Sequence, residues 1–147
     1  MSGVAGVDEV EFHTGVADPL GFACRLLRKA YRQGVRVTVT APEATLAALD
    51  RALWTFEERD FVPHLRVAAG RTPAIAARTP IWLLDGPPPP GAPGVLVNVG
   101  AAAPADLAPF TRIVEIVAAD PDETQAGRER WRAYKARGLE IRHHAAR

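Results

Sequence analysis

The sequence is poor in cysteine, in long apolar runs and in charge of one sign, and each shortage removes a class of protein. Cys24 is the sole cysteine in 147 residues, so no disulfide within the chain is possible and a reducing compartment is expected. It falls inside an apolar helical pattern, where a lone thiol reads as a small core residue rather than a nucleophile. No apolar run reaches the ~20 residues that a membrane-spanning helix needs. The opening MSGVAGVDEVEF has neither a basic segment nor a long apolar one, so no signal peptide is expected and the location reads as cytoplasmic. Eighteen Lys and Arg against seventeen Asp and Glu leave a net charge of +1. The whole chain is therefore no polyelectrolyte binder of nucleic acid, and any electrostatic function has to be local.

What is present fits one α/β domain. Apolar residues make up 48% and charged residues 24%, enough for a real core and too apolar for chain-wide disorder. A single domain over residues 1–147 is expected, with 1–8 and 145–147 loose. Val10 to Thr14 reads as a strand. Asp18 and Pro19 then supply an N-cap and a proline at the first helical position. Leu20, Cys24, Leu27 and Tyr31 follow at helical spacing, stopping at Gly34. Val35 to Thr40 alternates and is β-branched, and Pro42 opens a second helix with Leu46, Leu49 and Leu53 as its buried stripe. Further strands are expected at Ile81–Asp85, Val95–Gly100 and Arg112–Ala118, with a short helix near Asp106 to Phe110. A last helix runs from about Pro121 to Arg137, and LEIRHH adds an edge strand. Thr55 to Gly70 is too polar and broken for one helix, and 86–94 is a stiff proline-rich loop. This order predicts a three-layer domain with a mostly parallel, Rossmann-like sheet.

The usual machinery of such a sheet is missing. The strand-to-helix turns FHTGVADPLG and TVTAPEATL lack both G-x-G-x-x-G and G-x-x-x-x-G-K-[ST], so no backbone cradle for phosphate is expected. No cofactor is expected. His13, His64, His143 and His144 stand outside any zinc-ligand spacing, so no metal is expected. His143 and His144 read as a solvated polar tail. His13 ends a strand at the edge where active sites tend to lie, yet no motif ties it to a carboxylate or nucleophile. Nothing nominates a catalytic residue.

Chemistry concentrates instead near the end of the chain, in GRERWRAYKARG. Arg128, Trp131, Arg132 and Lys135 fall within an arc of about 100° on a helix, three cations around one indole. The opposite side carries Ala126 and Ala133, small enough to lie on a sheet, with Arg130 and Arg137 packing their stems and snorkelling their heads. The face reads as a solvated helix anchored by its tryptophan, as a receptor for an acidic peptide with an apolar end, or as a base-stacking surface. A second cluster, ALWTFEERDFVPH, brings Trp54, Phe56 and Phe61 together, either to plug the core or to anchor another protein.

These two blocks together, LDRALW…FVPH and VEIVAADPDETQAGRERWRAYKARG, resemble the chi subunit of bacterial DNA polymerase III holoenzyme, and the order of elements matches over nearly the whole chain. The resemblance implies a DNA-replication accessory protein of the clamp loader, with no catalytic site of its own and contact with DNA only indirect. It implies binding of the acidic C-terminal tail of single-stranded DNA-binding protein (SSB), which ends in Pro-Phe. The matching positions are Val117, Arg128, Trp131, Arg132 and Lys135. Trp131 stands for a tyrosine, Arg132 and Lys135 exchange cation type, and Thr124 stands where the family has a lysine. The family also binds the small psi subunit, through positions matching Trp54 and Phe61. A nucleotide-dependent enzyme on a Rossmann-like fold and a direct nucleic-acid binder are the alternatives.

Overall fold

A computed structural model describes residues 7–55, 61–68 and 71–146. Its seven strands are β1 (Glu9–Val16), β2 (Val37–Thr40), β3 (His64–Ala68), β4 (Ile81–Asp85), β5 (Val95–Asn98), β6 (Arg112–Ala118) and β7 (Ile141–Ala145). They form one sheet in the order β3-β4-β2-β5-β6-β1-β7, and every pairing is parallel. Parallel strands need crossovers, and three helices supply half of the six: α1 (Pro19–Arg32), α2 (Glu43–Thr55) and α3 (Pro121–Ala136).

The helices begin where capping chemistry lets them. Asp18 accepts the Gly21 N–H at 3.0 Å, and Asp120 accepts the Glu123 N–H at 3.1 Å. A proline follows each cap, where its missing N–H costs nothing. Helices α1 and α2 bury Ala23, Cys24, Leu27, Leu46, Leu49 and Leu53 against one sheet face. Helix α3 covers the other face, over Phe12, Ile113 and Val117. Beside α3 that face has no helix above β3 and β4 among the described residues. The Ala74–Arg78 3₁₀ turn and the proline-rich loop close it over Trp82 and Leu84. The loop is tied down by the Thr38 hydroxyl, which donates to the Pro93 carbonyl at 2.8 Å.

Three sequence expectations change. The segment after Thr55 contains a strand, β3, hidden in sequence because it is short and lies at the sheet edge, paired only with β4. No helix forms at 106–110, where the Asp106 carboxylate accepts the Ala108 N–H and makes a turn; Pro109 has no N–H to continue a ladder. The strand expected from Val35 begins at Val37. The edge strand expected from LEIRHH forms as β7 with His143 and His144 exposed on it, and its pairing with β1 runs to Ala145 opposite Thr14. Phe56 and most of the TFEERD stretch lie outside the described residues, as do residues 1–6 and Arg147.

Candidate functional site

Helix α3 is fixed to the sheet by a buried polar cluster. Glu115, in the middle of β6, is fully buried. Its carboxylate accepts from Arg130 Nε at 2.8 Å, from the Tyr134 hydroxyl at 2.6 Å and from Asn98 Nδ2 at 3.0 Å. Burial lifts the Glu115 carboxyl above the usual carboxylate range, against the opposing pull of Arg130, Tyr134 and Asn98. The same burial, with the Glu115 charge, raises Tyr134. Arg130 Nη2 has no hydrogen-bond partner among the described residues. The face of α3 on the sheet is thus Gly127, Arg130 and Tyr134, not Ala126 and Ala133, the latter of which is exposed. Arg130 does not snorkel; it is drawn inward by a carboxylate, while Arg137 stays exposed and donates to the Pro104 and Ala105 carbonyls.

Gly127 sets the distance between α3 and β6. A Cβ there would lie 2.6 Å from Val117 Cγ1, so only glycine lets the helix backbone settle on that valine. Beside this contact the helix, β6, β1 and β7 enclose a pocket of about 400 Å³, within the ~300–1,000 Å³ usual for small-ligand sites. Its walls are apolar: Phe12, Val117, Gly127 and the ring of Trp131. Trp131 is half-buried, 4.9 Å from the Phe12 ring and 5.3 Å from the His143 ring between centroids. It packs into the core edge and lines the opening at once. Arg128 and Arg132 also line the pocket from α3, and Thr14 and His143 line it from β1 and β7. Lys135 is exposed on the same helix and does not line it. Thr124 lines it, its hydroxyl turned toward the Ala118 carbonyl at 3.3 Å.

The other candidates separate clearly. Trp54 is 63% and Phe61 42% exposed; their rings lie 4.9 Å apart over the buried His64, whose Nε2 lies 2.9 Å from Asp50 Oδ1. Neither plugs the core. His13 contacts Glu11 at 2.9 Å and stacks on His144 at 4.9 Å. Cys24 is buried and its thiol is pushed up to about 11, chiefly by that burial, which makes it inert. Open parallel sheets bind nucleotides in the crevice at the strand carboxyl ends. Here that crevice holds Pro19, Pro42, Gly100 and Glu123. Two of these lack N–H groups and one carries the charge of a phosphate's own sign.

Sequence reasoning missed Glu115, Arg130, Tyr134, Asn98, Phe12, Gly127 and His143. A signal for the first was there: a glutamate inside IVEIV must be paired if that run is buried.

Comparison with known proteins first defines the class. The chain resembles the C-terminal domain of the S. cerevisiae DEAD-box protein Dbp5, solved bound to Gle1 and IP6, with a TM-score of 0.61 at 9% identity over 95% of this chain and 90% of that one. A second structure of the Dbp5 C-terminal domain gives 0.57 at 11% identity, over 95% and 91%. At such identities the likeness is one of fold alone, a Rossmann-like α/β domain. The model of the family "DNA polymerase III chi subunit, HolC" matches residues 7–142. The DNA polymerase III subunit chi of Pseudomonas aeruginosa is 36% identical over 132 residues, 87% of this chain and 89% of that protein. The chain belongs to the DNA polymerase III chi subunit family.

Proposed function

We propose that the chain is a non-catalytic replication accessory subunit that links the clamp loader to SSB by binding its acidic C-terminal tail. The observation that carries this reading is the pocket between α3 and β6, apolar inside and bordered by Arg128 and Arg132. The terminal phenyl ring of the tail enters between Val117 and Trp131. The arginines take the terminal carboxylate, and Lys135, farther along the exposed side of α3, takes upstream aspartates. One buried ring and a few exposed ion pairs suit a micromolar, salt-weakened contact. Many such tails on coated DNA raise avidity without a tight single contact.

A labelled peptide carrying the acidic Pro-Phe tail, titrated by fluorescence anisotropy, tests the proposal. Wild type is expected to bind at micromolar concentration, and Arg128→Ala to weaken binding about tenfold, the scale of a lost charge-assisted hydrogen bond. Absence of binding by folded wild type at low salt would sink it.

The adjoining and exposed Trp54 and Phe61 favour a second surface, for psi or its equivalent on the clamp-loader side. Prolines and a carboxylate in the crevice count against a nucleotide-dependent enzyme. Affinity for naked oligonucleotide with a steep salt slope would instead favour direct nucleic-acid binding.

A further inference from the structure

We infer that His143 is a specificity-determining residue of the α3 pocket: a proton-dependent cation that meets the acidic ligand from the sheet side, across from Arg128 and Arg132. The inference rests on reading the pocket as an acidic-tail receptor. Strand β7 carries three basic side chains in a row, Arg142, His143 and His144, and strand alternation sends them to different faces. Arg142 contacts Glu9 at 3.1 Å, and His144 contacts Glu11 at 3.4 Å. His143 faces α3, edge-on to Trp131, with its Nε2 2.6 Å from Thr14 Oγ1. Of the three it alone lines the pocket.

The groups around it decide the sign. Thr14 and Phe12 of β1 and Val117 of β6 are uncharged. Helix α3 presents Trp131, Arg128 and Arg132, and no lining residue is a carboxylate. A proton on His143 therefore finds no counter-charge in the pocket wall and two like charges across it. A carboxylate ligand supplies the missing partner, so ligand and proton favour each other's binding. Imidazole changes charge between about pH 5 and 8, whereas peptide carboxylates stay ionised throughout that range. Affinity for the acidic peptide must rise as the pH falls.

The test is tail-peptide anisotropy at pH 8.0 and 6.0 with wild type, His143→Gln and His143→Arg. Wild type is expected to tighten about threefold to fivefold, the scale of one exposed ion pair. His143→Gln should stay weak and His143→Arg tight, each nearly flat with pH. His13, His64 and His144 remain in both variants, so they cannot produce that difference. Equal pH ratios in wild type and His143→Gln would overturn the inference while leaving the pocket a tail receptor. Absence of wild-type binding at both pH values would overturn the receptor reading and this inference together.

Discussion

Helix α3 carries arginine on both of its sides, and the two sides do opposite things. Arg130 is 5% exposed and its guanidinium is held by Glu115, with one nitrogen unpartnered among the described residues. Arg128 and Arg132, two residues away in either direction, are exposed at the opening of a pocket. The inner arginine is spent on holding the helix in register; the outer two keep their charge available. Residue type does not separate these roles. Proximity to one buried carboxylate does.

The most severe way to break the contrast is Glu115→Ala, which leaves Arg130 buried without its counter-ion. A loss of about 3–5 kcal/mol is expected, read as a shifted urea midpoint, against less than ~0.5 kcal/mol for the exposed Arg128→Ala. Equal losses would mean that the inner pair holds nothing. Gly127→Val comes next. It places side-chain carbons where Val117 already stands, and about 1–3 kcal/mol should be lost, with tail binding weakened as α3 lifts away from β6. The smallest effect on stability belongs to Trp54→Ala. That indole is 63% exposed, so thermal melting should move little, while pull-down of a clamp-loader partner should fail if the patch is an interface. A large drop in melting temperature would make Trp54 a core residue after all.

Much of this was legible beforehand. Strand patterning anticipated six of the seven strands, and helical period with proline and N-cap placement anticipated all three helices, because these are local properties of the chain. β3 stayed hidden because its five residues only half alternate, and pairing at the sheet edge holds them extended. That Arg128, Trp131 and Arg132, the α3 side of the candidate pocket, share one face was legible from helical spacing. The other half was not: Phe12 and Thr14 lie more than a hundred residues away and His143 on the strand beside them, and only the β1–β7 pairing brings them together at the helix.

The sequence by itself determined an α/β chain without phosphate loops, one basic helix face and membership in a recognisable family, since those depend on residue order alone. Tertiary structure decided which arginine is buried, which histidine reaches the pocket and where the apolar walls stand. Burial and strand register are long-range consequences of packing, and a side chain's charge is held or left free by neighbours that the linear sequence does not place beside it.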